Sequence, residues 1–385
     1  MTILNPRQQA IRLAAKDFVA ATIIPRAAEL DRSGAFHGFL LDAAKPSRIF
    51  AMAMPKEYGG LGYDALTQSL VLEEWGYGCG AMGTTLAASI LSMESVLIAG
   101  NDEQKRRFFA PMLDGGIGAF GLTEPGAGSD VGAGSTTAVR SGDGYVINGA
   151  KCWITNASYA SVHVVFAQTD PAQGTKGLSA FIVEKGRPGF VLGDIEHKLG
   201  LRSSNTAFYA MKDMKIPAAN LLGREGDGMK IAMKTLDTAR PAIAALAVGV
   251  AQRALDDCVA YLHERFPAKP YPGQGLQFGL ADMRIQIAAA RDVLHEVMLL
   301  RDAKLPFSEE SAIAKTFCTD VAMRVTAQAV RLTGSHGYTS ELGKFMRDAK
   351  IMQIYEGTNQ IQRLVIARAV LARAPVAVAV LKAGE

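Results

Sequence analysis

Apolar residues recur at helical spacing along residues 11–24, 66–75 and 86–98, so the first hundred residues predict helices. Further on, a capping box opening at Asp102 fails because Lys105 stands where Glu or Gln is needed; Asn101 or Asp102 remains available to cap a helix toward Met112. Three long periodic stretches, near residues 229–263, 276–301 and 308–332, carry apolar positions such as Leu236, Ile243, Val250 and Leu262, which suits a helix bundle. The longest unbroken apolar run, residues 242–251, lies between Pro241 and Gln252; it reads as buried helix and is too short to span a membrane. The Ala/Val tail from Ala369 reads as a final helix. Between the helical regions the period changes: short β-prone runs occupy residues 135–140, 145–148, 162–168, 178–184 and 190–192. Gly142-Asp143-Gly144, Asn148-Gly149 and Asp170-Pro171 supply turns between them. That pattern predicts an antiparallel sheet or barrel in place of alternating βαβ units.

Glycine usage sharpens the partition, because residues 115–228 hold 20 of the 39 glycines of the 385-residue chain. Three domains are expected: residues 1–117 helical, 118–225 a β-domain, and 226–385 a helical bundle, an α+β chain as a whole. A composition 49% hydrophobic and 20% charged is that of a folded globular protein. The net charge of +4 is spread along the chain with no basic block longer than Lys105-Arg106-Arg107, which speaks against nucleic acid. The first 19 residues lack the charged head and apolar stretch of a secretory signal. Cys79, Cys152, Cys258 and Cys318 stand far apart with no Cys-x-x-Cys pair, so buried thiols in a reducing, cytoplasmic setting are expected.

Several familiar sites fail on spacing. The six histidines never fall at His-x-x-x-His spacing or beside Cys, so no zinc site is expected. Gly149-Ala150-Lys151 misses a P-loop by one residue, and Gly126, Gly128 and Gly132 leave a three-residue gap where the Rossmann fingerprint needs two. No Gly-x-Ser-x-Gly elbow occurs. Two segments are more specific. Phe120-Gly121-Leu122-Thr123-Glu124-Pro125-Gly126-Ala127-Gly128-Ser129-Asp130 runs from a strand end into a glycine-rich loop, where backbone N–H groups and the Thr123 and Ser129 hydroxyls are able to approach an anion or a heteroaromatic ring. Ile354-Tyr355-Glu356-Gly357-Thr358-Asn359-Gln360-Ile361-Gln362-Arg363 places a carboxylate just before Gly357 and a Thr358 N-cap, on a loop at a helix start. Taken singly, a glycine-rich hairpin and a surface glutamate are the plainer readings of these two segments.

Together the two segments resemble the acyl-CoA dehydrogenase family. The resemblance extends along the chain through Pro55-Lys56-Glu57-Tyr58-Gly59-Gly60-Leu61-Gly62, Ala99-Gly100-Asn101-Asp102-Glu103-Gln104-Lys105, Lys151-Cys152-Trp153-Ile154-Thr155-Asn156, Asp237-x-x-Arg240-Pro241 and Met346-Arg347-Asp348-Ala349-Lys350-Ile351. It implies an N-terminal helical domain, a middle β-domain and a C-terminal four-helix bundle, matching the glycine partition. It also implies non-covalent FAD between the β-domain and the bundle, contacted by Phe120, Leu122, Thr123, Gly128 and Ser129, with Trp153, Ile154 and Thr155 at the ring edge. The implied reaction converts a saturated acyl thioester to the trans-2-enoyl thioester, Glu356 taking the α-proton as the β-hydrogen leaves as hydride. The thioester oxygen would be bound by the Glu356 N–H and a ribityl hydroxyl of the cofactor, with Ser129, Asp237, Arg240, Tyr355 and Gly357 on the substrate side. Asp237 and Arg240 equally suit a plain helix i,i+3 pair. Relatives that carry the base one residue before the Arg-Pro pair have a glutamate there; here that position is Ala239.

The resemblance further implies a homodimer or homotetramer in which Arg265, Gln274, Arg331, Gly334, Thr358 and Gln360 help bind FAD, some of them across subunits. Here the chain departs from the family pattern. The segment from Phe266 to Gln274 carries three prolines and is about two residues short, Arg331 stands where Gln is usual and Ser335 where Gly is common, and residues 340–345 are shortened. An electron-transfer flavoprotein is the expected acceptor. The alternatives are an acyl-thioester oxidase reoxidised by oxygen, an acyl carrier protein in place of CoA, and a flavin-free scaffold that kept the fold.

Overall fold

The computed structural model describes residues 2–267 and 273–373. Its N-terminal part is helical: α1 (Pro6–Phe18), α2 (Ile24–Ser33), α3 (Phe39–Ala44), α4 (Ala65–Gly78), α5 (Gly80–Ala99) and α6 (Asp102–Leu113). Between α1 and α2 the chain does not break but widens into a π-helical turn, Val19–Ile23, just before Pro25. A proline lacks the N–H and clashes with the carbonyl four residues back, and the wider turn relieves both. The cap of α6 is Asn101, whose side chain accepts from the Gln104 N–H at 2.8 Å while Gln104 accepts from the Asn101 N–H at 3.0 Å. The capping box therefore exists one residue earlier than the Asp102–Lys105 spacing that fails.

The middle part is one eight-stranded sheet made of β1 (Gly118–Gly121), β2 (Thr137–Ser141), β3 (Gly144–Thr155), β4 (Val162–Gln168), β5 (Leu178–Glu184), β6 (Phe190–Ile195), β7 (Thr206–Pro217) and β8 (Leu221–Leu222). The runs at 162–168 and 178–184 coincide with β4 and β5, and the sheet is mainly antiparallel as expected, with two parallel contacts besides: β1 pairs parallel with β4, and β2 meets β4 in parallel at Thr137 and Gln168. Asn148-Gly149 is not a turn. It sits inside β3 at a register shift against β7, where Asn148 exchanges hydrogen bonds with Asp213 and an added Cβ on Gly149 would lie 2.5 Å from the Thr136 hydroxyl. Gly142 and Asp143 do close the β2–β3 hairpin.

The C-terminal helices are α7 (Gly228–Arg265), α8 (Gln274–Asp302), α9 (Ser308–Leu332), α10 (Ser335–Thr339), α11 (Glu341–Met352) and α12 (Asn359–Ala372). The expected tail helix is met as far as Ala372; residues 374–385 lie outside the described residues, as do 268–272 of the proline-rich loop. The run 242–251 is buried in α7 as its composition requires. One helix among the described residues, α5, is long and apolar enough to cross a membrane, which a search for unbroken apolar runs overlooks; 89% of its most apolar window is buried against the rest of the protein, and it serves as a core helix packed on α7 and β1. All four cysteines are free and buried.

Candidate active site

Glu356 sits in the loop between α11 and α12 with φ 55°, and Gly357 follows with φ 82°. Holding a non-glycine residue in that left-handed region costs on the order of 1–3 kcal/mol, and such strain persists where surrounding bonds over-determine it. They do here. Gln362 donates from Nε2 to the carbonyls of Glu356 and Gly357, at 3.1 and 3.0 Å. Thr358 caps α12 by accepting from the Ile361 N–H, as its position predicts. Asn359 is buried and bonded to Thr319 and Asp320 of α9. A side chain at Gly357 would place its Cβ 2.6 Å from the Gln362 amide.

The carboxylate this turn presents is itself unpartnered: Glu356 Oε2 is buried without a hydrogen bond. Burial pushes its pKa up to about 7, against the pull of Lys315 and Arg240. Arg240 is buried on α7, ion-paired to Asp237 at 2.5 Å through Nη1, while its Nε has no partner. The i,i+3 pair and the place beside Glu356 are thus both realised. Pro241 follows Arg240 inside α7 and cannot donate to the Asp237 carbonyl four residues back; the Ser311 hydroxyl of α9 takes that carbonyl at 2.7 Å. Ala239 is buried beside Arg240 and offers no second carboxylate. The Tyr355 hydroxyl lies 3.1 Å from the Thr84 hydroxyl on α5. So α5, α7, α9 and the α11–α12 loop converge on one half-buried acid, its Oε2 sealed from solvent, with a cation close by.

A second group lies on the sheet. The Cys152 N–H donates to the Thr123 carbonyl at 3.1 Å, stapling Leu122, Thr123, Gly128 and Ser129 to the β3 segment that carries Trp153, Ile154 and Thr155. Glu124 and Ala127 exchange backbone bonds across Pro125 and Gly126. A buried ion pair fixes this loop. Glu124 and Lys151, both buried, meet at 2.7 Å, and Glu124 also accepts from the Ser135 and Thr136 N–H groups. Burial opposes the Glu124 charge, but Lys151 and these donors hold its carboxyl below the usual range. The sequence signal was an acid in the glycine loop and a lysine in a strand with no solvent-facing role for either. Trp153, in the bulge between Lys151 and Ile154, has φ 58° and is 58% exposed. Asn156 closes the segment, φ 67°, donating to the carbonyls of Thr85 and Gly118. Added Cβ atoms at Gly126 and Gly128 would meet nothing within 4 Å. An open face of small residues, two hydroxyls and a strained, exposed indole fits a flavin. Phe120 is half-buried with its ring 5.0 Å from that of Phe166.

The sheet and the bundle are locked together near Glu356. Asp348 of α11 accepts from the Leu201 N–H at 2.6 Å, and an added Cβ at Gly200 would lie 2.1 Å from the Arg347 carbonyl. The remaining residues are not gathered here. Arg265 ends α7, Gln274 begins α8, Arg331 nearly ends α9 and Gly334 follows it, all exposed. Arg331 stands 16 residues beyond Lys315 on α9, about 24 Å at the helical rise. Gln360 is exposed on the first turn of α12.

Three family models match in succession: the acyl-CoA dehydrogenase N-terminal domain at residues 5–116, the middle domain at 119–214 and the C-terminal domain at 226–371. The chain belongs to the acyl-CoA dehydrogenase family, FAD-dependent oxidoreductases acting on CH–CH groups. It is similar to the short-chain-specific acyl-CoA dehydrogenase of Clostridium acetobutylicum, 43% identical over 371 residues, 94% of this chain and 97% of the relative. Among solved structures it is similar to butyryl-CoA dehydrogenase from Megasphaera elsdenii, TM-score 0.93 and 40% identity, covering 96% of this chain and all of the other. It is also similar to a chain solved in work on the electron transferring flavoprotein of Acidaminococcus fermentans, TM-score 0.94 and 43% identity, covering 96% and 99%.

Proposed function

We propose that the chain oxidises a short-chain acyl-CoA to its trans-2-enoyl-CoA, with Glu356 as the base that takes the α-proton. The observation that carries this reading is the Glu356 carboxylate, held on a strained turn beside Arg240 with its Oε2 buried and without a hydrogen-bond partner. An α-proton of a thioester is far too weakly acidic for a carboxylate in water, so desolvation and a stabilised enolate oxygen are required. Here the turn removes the carboxylate from water, and the Glu356 N–H is the donor we assign to the thioester oxygen. Arg240, kept in place by Asp237, supplies positive charge to the cleft. Tyr355 and Gly357 flank the acyl chain, and Ser129 faces the substrate from the sheet.

Phe120, Leu122, Thr123, Gly128, Ser129, Trp153, Ile154 and Thr155 are the residues we assign to FAD. Bound FAD supplies the two-electron acceptor for the β-hydride. Arg265, Gln274, Arg331 and Gly334 would reach the FAD of a neighbouring subunit, with Thr358 and Gln360 as further FAD contacts, and the far end of the bundle would then lie at an interface. Support comes from α8, which exposes Phe278, Ile285 and Leu299 at seven- and fourteen-residue intervals on one face. A homo-oligomer with an electron-transfer flavoprotein as acceptor, in a cytoplasm that keeps the four thiols reduced, is the assembly we infer. Anaerobic mixing of holoenzyme with saturated thioesters from C4 to C16, on CoA and on a carrier protein, tests the reading. Fastest flavin bleaching by the C4 or C6 CoA ester supports it; bleaching by none rejects it, and preference for the carrier protein reassigns the substrate.

A further inference from the structure

Lys315 is a buried ammonium with neutral acceptors. From α9 its Nζ donates to the Gly357 carbonyl and to Asn359 Oδ1, each at 2.8 Å, and among the described residues no carboxylate comes within ion-pair distance of it. Burying a charge on such terms is costly, and an apolar side chain of similar length would fill the space at less cost. The carbonyl it holds belongs to the residue directly after Glu356, inside the two-residue left-handed turn. One helical turn earlier on the same face of α9, Ser311 holds the carbonyl freed by Pro241 beside Arg240. A single face of α9 thereby fixes both sides of the cleft.

We propose that Lys315 is a positioning residue: through the Gly357 carbonyl it holds the turn that presents Glu356, and its charge keeps the Glu356 carboxylate ionised as the waiting base. This rests on Glu356 being the base. Burial pulls the Lys315 ammonium down to about 7, opposed chiefly by the Glu356 charge, so each ion supports the other where burial alone would neutralise both. The charged groups around the pair are few. Arg240 and Asp237 face it from α7; Asp320 lies along α9, bonded to Gln353 and to Arg363 of α12. The Tyr355 phenol adjoins Glu356, and burial with Glu356 itself pushes its pKa well up. From α8, Arg291 is engaged by Glu73, and on α11 Lys344 and Asp348 satisfy each other.

The test uses holoenzyme carrying Lys315→Met, which removes charge and donor, and Lys315→Gln, which keeps a donor for the carbonyl. Infrared difference titration follows the protonated carboxyl band of Glu356, assigned by its loss in Glu356→Gln, and stopped-flow follows flavin reduction against pH. In both variants the Glu356 midpoint is expected to rise by about one pH unit or more, with about a tenfold loss of flavin reduction at neutral pH. Raising the pH restores most of the rate in Lys315→Gln and not in Lys315→Met. Lys315→Arg, which keeps the charge, retains the wild-type midpoint. Folded variants whose Glu356 midpoint stays in place would overturn the proposal. Should wild-type enzyme show the titrating carboxyl yet no flavin reduction by any thioester, the assigned reaction fails while the infrared shift still decides the role of Lys315.

Discussion

At the scale of single residues, with Glu356 as the proposed base, its ionisation is expected to control the reaction. Only the carboxylate accepts a proton, and burial puts its midpoint at about 7. Therefore kcat/KM is expected to rise with pH through a limb centred near 7 and to fall tenfold per pH unit well below it, as measured by single-turnover flavin reduction. A limb near 4.5, the value of a solvated glutamate, would show that the site is wet. A second residue-scale outcome concerns Gly357. Gly357→Ala adds a Cβ into the Gln362 amide at a left-handed position and should lower the reduction rate more than it weakens thioester binding, measured by titration of the oxidised holoenzyme.

At the scale of elements, the Glu124–Lys151 pair decides whether the glycine loop keeps its shape. Lys151→Met leaves a buried carboxylate unpaired and should cost about 3–5 kcal/mol of stability, read as a fall in the denaturation midpoint with release of FAD. Combining it with Glu124→Gln should recover much of the loss. Helices with a clear period were legible from sequence: α9 coincides with residues 308–332, and β4 and β5 with their apolar runs. What escaped was set by partners far along the chain. Asn148-Gly149 has turn chemistry, yet β7 pairs with it and turns it into a bulge. β7 itself went unassigned because Lys212, Asp213 and Lys215 interrupt its alternation. Similarly, the place of Glu356 on a loop at a helix start was legible through its motif, whereas the contacts of Lys315, Ser311 and Lys151 were not, because a polar residue in a periodic helix or strand reads as solvated until tertiary packing buries it.

At the scale of the whole molecule, the exposed residues at the far end of the bundle and the apolar face of α8 point outward together. Ile285→Glu places a charge in that face and should reduce the assembly to a smaller species by light scattering, with weaker retention of FAD. A particle of unchanged size would show that α8 faces solvent. Within the chain, one buried cluster runs from α1 through α5 and α7 to α11, and a smaller one fills the other side of the sheet.

The measurement that bears most directly on the account is anaerobic stopped-flow of Glu356→Gln holoenzyme against a C4 acyl-CoA. The amide keeps the size of the side chain and its ability to hydrogen-bond but accepts no α-proton. With Glu356 as the base, the thioester is expected still to perturb the oxidised flavin spectrum on binding, while the rate of bleaching falls by roughly 10²- to 10⁴-fold or more. Bleaching at close to the wild-type rate would contradict the assignment of Glu356 as the base.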